Sequence, residues 1–274
     1  MRADRLPGIF VSHGAPTLPL EQVPARKFLQ ILGRNYSDVS AVLCISAHWQ
    51  TREPVVSAVL HPETIHDFSG FPDELYQIQY PAVGSPPLAA RVARLLLGAG
   101  LPCGTDQARG IDHGTWVPMM LMYPDAHVPV VQLSIQQHLD PAAHYAVGRA
   151  LAPLQEEGVL VLGSGGAVHP LGYADLREGA DPDPWAVAFN DWLNQAVTAG
   201  DHDALLHFRE QAPYPTRAHP YPDHFMPLLT IAGTAGPGTK GTILHQSWDL
   251  GDLGMGAFAF EEVKGQESPA DRIT

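Results

Sequence analysis

Six short apolar runs constrain this fold more than any other feature of the sequence. The runs are rich in valine, isoleucine and leucine, and many are bounded by glycine or proline. Runs of this length and composition are typical of strands that are buried on both faces of a sheet. The runs are GIFVS (8–12), AVLCIS (41–46), PVVSAVL (54–60), VPVVQLSI (128–135), GVLVLGS (158–164) and GTILHQS (241–247).

Helical patterns separate these runs. PPLAARVARLLLGAG begins with two prolines, ends in glycine and places three leucines and a valine on one face. Two further segments begin with Asp140 and Asp183, each followed by proline, a favourable N-cap and first-turn pair. Strands that alternate with helices predict an α/β fold, a single domain with a central, mostly parallel β-sheet flanked by helices. We expect this domain to span residues 1–262 and a polar tail to span 263–274.

Composition and charge exclude several classes of partner. The chain has 16 lysines and arginines against 29 aspartates and glutamates, whereas phosphate binding needs a basic patch, so no nucleic-acid partner is expected. No stretch approaches the ~18 uninterrupted apolar residues of a membrane span, and the N-terminus lacks the apolar core of a signal peptide. The two cysteines, Cys44 and Cys103, make no disulfide framework. We expect a cytoplasmic protein without membrane partners, and homo-oligomer formation is left open.

Histidines recur where the predicted strands end. His13 follows the first run, His48 follows the second and His169 follows the fifth. The carboxyl ends of parallel strands meet at one edge of the sheet, where α/β proteins bind ligands, so we expect these imidazoles to converge. Because imidazole is a common metal ligand, the set predicts a metal site at that edge. A fourth candidate is His224, whose neighbour Asp223 either supports it or caps a helix.

Motifs for other kinds of site are weaker. GSGGAV resembles a dinucleotide fingerprint, but Val168 replaces its last glycine and Pro170 interrupts the helix that should follow. The same stretch lacks the glycine that a nucleophile elbow needs two residues before Ser164. Most other histidines lie in polar loops or on helices, where we expect them to be solvated or locally hydrogen-bonded. These are His61, His127, His138, His144, His202, His207 and His245.

Longer motifs carry a resemblance to a known family. The chain is similar to the class III extradiol ring-cleavage dioxygenases, and more closely to their DOPA 4,5-dioxygenase-type branch, from about residue 7 to residue 262. The matching motifs, in order, are FVSHGAP, ISAHWQT, TIHDFSGFPDELYQIQYPAVGSP, GIDHGTWVPMMLMYPDAHVPVVQLSI, SGGAVHPL, PWAVAFNDW and YPDHFMPLL.

This resemblance implies a mononuclear non-haem Fe(II) centre, with Zn(II) as the alternative metal. It implies that His13, His48 and His224 bind the metal, and that His169 is either a further ligand or the acid/base. His113, in the DHG motif, is implied to face the pocket as a catalytic residue without binding the metal. The implied reaction inserts O2 into a small aromatic diol, such as a DOPA-like or caffeate-like catechol, and opens the ring beside the diol.

Some details stay open in the sequence. Asp112 either orients the histidine that follows it or caps a helix. The loop 64–85 is expected to set the preference for ring substituents. Its candidate side chains are His66, Phe68 and Tyr80. Pro170 stands where close relatives often carry asparagine, which is expected to alter the local backbone.

Two other functions are open to the same residues. A zinc-bound member would use the histidine cluster to activate water for hydrolysis, and a protein of the same fold that only binds would have lost its metal site. The presence of all four candidate ligands argues against the binding protein. O2 consumption with a yellow ring-opened product would distinguish the dioxygenase from the hydrolase.

Overall fold

The computed structural model describes residues 5–171 and 179–261 of the chain. The predicted polar tail, 263–274, lies outside the described residues. Within the described ranges, no helix is long and apolar enough to cross a membrane.

The described residues form ten β-strands. In chain order these are β1 Gly8–Ser12, β2 Ala41–Gln50, β3 Val55–Ser57, β4 Gly104–Asp106, β5 Val130–Ile135, β6 Val159–Gly165, β7 Gly241–His245, β8 Trp248–Asp249, β9 Leu253–Gly254 and β10 Ala257–Phe260. Eight of them form one sheet in the order β4-β3-β5-β2-β6-β1-β10-β7, and β8 pairs with β9. Each of the six predicted runs contains a strand, although the run 54–60 contributes only Val55–Ser57.

The centre of the sheet is parallel and its margins are mixed. Strands β5, β2, β6 and β1 lie side by side in parallel register, so their carboxyl ends share one edge. On one side β3 pairs antiparallel with β5. On the other side β10 pairs antiparallel with β1, and β7 with β10. The predicted mostly parallel sheet is confirmed in the strands that carry the histidines.

Nine α-helices surround the sheet in the described part of the chain. They are α1 Pro24–Asn35, α2 Pro86–Gly98, α3 His113–Met122, α4 Pro141–Leu151, α5 Pro184–Ala199, α6 His202–Leu206, α7 Phe208–Gln211, α8 Pro215–Ala218 and α9 Met226–Ala235. Asp140 caps α4 as expected, because its carboxylate accepts a hydrogen bond from the Ala143 amide at 2.8 Å. Asp183 at the start of α5 does not cap through its side chain; its carboxylate accepts instead from the Trp185 indole at 3.0 Å.

Alternate side chains of the central strands enter two separate hydrophobic cores. On β1, for example, Phe10 belongs to the core that contains α2, α4 and α9, whereas Ile9 and Val11 belong to the core that contains α1 and α3. Both faces of the sheet are therefore covered by helices, as the unbroken apolar runs predict. This three-layer packing leaves the carboxyl edge of the parallel strands as the place where a cavity can open.

Candidate metal centre and active site

Five histidines from distant parts of the chain line one cavity of about 540 Å³ at the carboxyl edge of the central strands. His13 directly follows β1, and His48 lies near the end of β2. His169 follows β6, and His224 lies just before α9. His113 is the first residue of α3.

Gly14 helps to turn the chain away after His13. Its φ of +68° is in the left-handed region, which glycine adopts without the steric penalty of a side chain. A β-carbon here would also lie 2.8 Å from the terminal methyl carbon of Met255. The turn therefore allows the strand to end with His13 facing the cavity.

Three of these imidazoles point their Nε2 atoms toward one another. The Nε2 atom of His48 lies 3.0 Å from Nε2 of His13 and 3.1 Å from Nε2 of His224. His13 and His224 are almost completely buried, and His48 is partly exposed. The structure therefore brings the rings of His13, His48 and His224 together at the sheet edge.

The opposite ring nitrogen of each of these histidines faces a hydrogen-bond acceptor. Nδ1 of His224 lies 2.9 Å from the Asp223 carboxylate, and Nδ1 of His48 lies 3.4 Å from that of Asp67. Nδ1 of His13 lies 2.9 Å from the Ser164 hydroxyl, which itself donates to the Gly114 carbonyl. The hydroxyl must therefore accept from His13. The rings of His13 and His224 thus carry their proton on Nδ1, and the Asp67 carboxylate favours the same tautomer in His48.

This arrangement points three Nε2 lone pairs at one another. Burial, reinforced by the neighbouring imidazoles, lowers the pKa of His13 well below its usual value. Burial also lowers the pKa of His48 to about 3, so both rings are neutral at pH 7. Neutral imidazoles that hydrogen-bond through the other nitrogen are what metal sites use. Converging lone pairs repel unless a cation lies between them, so the residues fit a metal ion.

His169 lies beside this group and stacks on one member of it. Its ring centroid is 3.4 Å from that of His224, with 8° between the ring planes. Burial lowers the pKa of His169 to about 4. His169, Asp223 and His224 also bring possible ligand atoms within 4.8 Å of one another. His169 therefore lies beside the three converging rings and contacts one of them, His224.

Asp67 is a functional residue that the sequence analysis does not identify. Its Oδ1 atom accepts from the backbone amide of His113 at 3.0 Å and lies 2.9 Å from Nδ1 of the same residue. Its Oδ2 atom lies 3.4 Å from Nδ1 of His48. Burial opposes the charge on Asp67, but the hydrogen bonds and electrostatic attraction of His113, with the electrostatic attraction of His48, lower the pKa of Asp67 to about 2. One carboxylate therefore holds two histidines of the cavity.

His113 is close to the converging rings. Its ring centroid lies 3.9 Å from that of His48 and 5.3 Å from that of His13. A ring nitrogen of His113 lies within 4.8 Å of ring nitrogens of His13 and His48. Because Nδ1 of His113 faces the Asp67 carboxylate, Nε2 is the ring nitrogen left for a partner in the cavity.

The side chain of Asp112 takes neither of its two expected roles. It makes no capping hydrogen bond at the start of α3. It accepts from the Ser46 hydroxyl at 2.7 Å and from Arg109 at 3.0 Å, and also from the Gln132 amide. Burial, followed by the charge of Asp67, raises the pKa of this carboxyl group. Asp112 therefore supports β2 beneath His48, since the Ser46 hydroxyl also accepts from the His48 amide at 3.2 Å.

The loop 64–85 contributes Phe68 and Phe71 to the cavity wall. The phenyl ring of Phe68 meets His113 edge-on at 5.7 Å. Two other expected pocket residues of the loop are structural: His66 bonds to the Ile78 carbonyl at 3.0 Å, and buried Tyr80 donates to the Tyr123 carbonyl at 2.9 Å. Pro170 does line the cavity.

Two of the histidines expected to be solvated or locally hydrogen-bonded are buried; His144 makes the expected local bond, whereas His202 bonds to distant residues. Nδ1 of His144 lies 3.1 Å from the Asp140 carbonyl. His202 bonds to the Tyr145 hydroxyl and the Thr239 carbonyl, both at 2.9 Å. Neither lines the metal cavity.

Comparison with known proteins agrees with this geometry. The family described as the catalytic LigB subunit of aromatic ring-opening dioxygenase matches residues 7–260. The chain belongs to this family. Among its relatives is the 4,5-DOPA dioxygenase extradiol of Beta vulgaris, 46% identical over 256 residues that cover 92% of this chain and 95% of the relative. The protein of the same name from Escherichia coli (strain K12) is 38% identical over 260 residues, covering 93% and 94%.

A solved structure shows the same fold. The crystal structure of an uncharacterized protein from Escherichia coli K12 superposes with a TM-score of 0.76 and 32% sequence identity. The match covers 93% of this chain and 99% of that one. The chain is therefore an extradiol ring-cleaving dioxygenase of the DOPA dioxygenase branch, and membership of this family implies a metal cofactor.

Proposed function

We propose that this dioxygenase opens the ring of a DOPA-like or related substituted catechol at a mononuclear Fe(II) centre held by His13, His48 and His224. The observation that carries this proposal is the convergence of three Nε2 atoms on the wall of the cavity. Nε2 of His48 lies 3.0 Å from that of His13 and 3.1 Å from that of His224. Each ligand ring is oriented by an acceptor at Nδ1, which fixes its tautomer.

The choice of iron rests on the reaction of the family. Imidazole donors suit zinc as well as iron, but Zn(II) has no redox chemistry with which to assist O2. When bound, Fe(II) supplies a Lewis acid that makes both phenolic hydroxyls more acidic, and a template that places O2 beside the ring. Iron therefore accounts for ring opening where zinc does not.

The chain's own residues supply the proton chemistry. His169 stays neutral at pH 7 because burial lowers its pKa to about 4, so it is in the form that accepts a phenolic proton. His113 is held by Asp67 at Nδ1, so its Nε2 can take the other phenolic proton and then donate a hydrogen bond to the oxygen atoms that gain negative charge. These two roles make His113 and His169 the catalytic residues of the proposal.

The cavity suits a flat aromatic substrate. Its volume of about 540 Å³ lies within the ~300–1,000 Å³ range of small-molecule sites. Part of the cavity wall is apolar, with Phe68, Phe71, Leu250 and Leu253. A catechol ring can pack against this wall while its two hydroxyls face the metal centre.

The deciding experiment is an O2-uptake assay of protein loaded anaerobically with Fe(II). The substrates are DOPA, caffeate and 4-methylcatechol, and the control is the same protein loaded with Zn(II). We expect iron-dependent O2 consumption, a yellow ring-opened product and both atoms of ¹⁸O2 in that product. Absence of O2 consumption with every catechol would overturn the proposal. Hydrolytic activity of the zinc form, or catechol binding without turnover, would favour the two alternative functions.

A further inference from the structure

His219 is a buried histidine outside the metal cluster that contacts the segment carrying His169. It follows α8 and has an exposed fraction of 0%. Its ring is surrounded by three phenylalanines. The centroid distances are 5.1 Å to Phe225, 5.4 Å to Phe189 and 6.3 Å to Phe208.

The two ring nitrogens of His219 have different surroundings. Nε2 lies 3.1 Å from the carbonyl oxygen of Ala167. A carbonyl can only accept, so Nε2 carries the proton and Nδ1 presents a lone pair. That Nδ1 atom has no hydrogen-bond partner among the described residues.

An imidazole is a costly choice for this position. Burying a polar nitrogen without a partner is destabilising, and a phenylalanine would match the aromatic surroundings without that cost. The feature that distinguishes histidine from phenylalanine here is one directed hydrogen bond to Ala167. The hydrogen bond to Ala167 therefore explains the presence of a histidine at this position.

The bond joins two segments that carry histidines of the centre. The Gly166 amide donates to the His224 carbonyl at 3.0 Å, and the His169 amide donates to the Ala218 carbonyl at 2.9 Å. With the His219–Ala167 bond, these contacts fasten residues 166–169 to residues 218–224. At the end of the joined segments, the rings of His169 and His224 stack 3.4 Å apart.

We propose that His219 is a positioning residue, which sets the stacked His169–His224 pair by donating a hydrogen bond to the Ala167 carbonyl. The inference rests on the proposed function, in which His224 binds the metal and His169 accepts a proton. Outer partners of metal ligands typically contribute ~10–100-fold to metal affinity or activity, and we expect an effect in that range.

Two substitutions separate positioning from packing. His219→Gln places an amide donor near the position of Nε2, whereas His219→Phe fills the aromatic surroundings without a donor. Packing alone predicts that the phenylalanine variant is the more stable of the two and at least as active. Positioning predicts the reverse order of activity. The matched control is His202→Phe, which removes another buried and hydrogen-bonded histidine away from the cavity.

The measurements are the unfolding midpoint, the Co²⁺ affinity of the metal-free protein, and kcat and KM of the Fe(II)-loaded enzyme. For His219→Phe we expect Co²⁺ affinity about 10-fold lower and kcat about 10–100-fold lower, with KM largely unchanged. We expect His219→Gln to recover most of the Co²⁺ affinity and of kcat. We expect His202→Phe to alter only the unfolding midpoint.

A folded His219→Phe variant with wild-type Co²⁺ affinity and kcat would overturn the proposal, whether or not His219→Gln folds. The Co²⁺ titration needs no ring cleavage. If the wild-type protein cleaved no catechol, the titration would still decide whether His219 positions the centre, so the two proposals can fail separately.

Discussion

Replacement of Asp67 by asparagine tests how strongly one loop carboxylate supports the centre. The asparagine side chain has the same size and keeps one carbonyl acceptor for the His113 amide, so we expect Asp67→Asn to fold. The substitution removes the negative charge that faces Nδ1 of both His113 and His48, at 2.9 and 3.4 Å. The variant therefore isolates the charge from the packing of the loop.

The structure gives the size of this effect. The pKa of Asp67 is about 2 instead of 3.8, which corresponds to a preference of about 2 kcal/mol for the charged carboxylate in the folded protein. Because the folded-state pKa is lowered, this stability is present above about pH 4 and is lost as the pH falls toward 2. A loss of about 2 kcal/mol should lower the unfolding midpoint by roughly 4–8 °C.

The same charge supports catalysis if His113 becomes more positive in the rate-limiting step. Loss of about 2 kcal/mol from that state corresponds to a decrease in kcat of about 30-fold. The loss of the partner of His48 should also weaken Fe(II) binding by ~10-fold. Saturating iron in the assay separates these two effects.

Differential scanning calorimetry, iron titration and O2 uptake measure the three quantities. The matched control is Asp73→Asn, which removes an exposed carboxylate from the same loop. Equal kcat, iron affinity and melting temperature in Asp67→Asn and Asp73→Asn would show that the carboxylate does not support the two histidines.

Three further substitutions test other parts of the centre. His48→Ala removes the ring whose Nε2 meets both other proposed ligands, and metal analysis should find little bound iron; a full complement of iron would contradict the ligand assignment. His113→Ala should keep its iron but lose about 10²–10⁴-fold in kcat, and loss of iron would show that His113 is itself a ligand. Gly114→Ala would place a β-carbon 2.5 Å from the Ser46 hydroxyl oxygen and 3.0 Å from the His48 ring, so iron affinity should fall by ~10-fold, whereas Gly98→Ala, which meets no atom within 4 Å, should leave it unchanged.

The parts of this structure that have a simple hydrophobic pattern are predictable from the sequence. The central strands are continuous apolar runs because both of their faces are buried, and their parallel direction places His13, His48 and His169 at one edge. The start of α3 is harder to predict. Nine of its ten residues are buried and Pro118 lies inside it, so it has no polar face to mark it as a helix.

The supporting residues of the centre have no such signal. Asp67 lies in an irregular loop, where no periodicity indicates which way a side chain faces. His219 lies five positions before His224 in a short connection between α8 and α9. Their roles depend on contacts between segments that are far apart in the chain, such as Ala167 with His219. The aromatic residues of loop 64–85 predict a role for the loop, but no local feature of the sequence identifies Asp67.

The separation of the three converging histidines along the chain has a consequence for folding. His13 and His48 are 35 residues apart, and His48 and His224 are 176 residues apart. An ion shared by them would act as a cross-link in a protein whose two cysteines are both free. Closing loops of this size restricts the unfolded chain by roughly 3–5 kcal/mol each in the case of a disulfide. The metal would then connect distant segments of the fold, and its removal by a chelator should destabilise the sheet as well as the cavity.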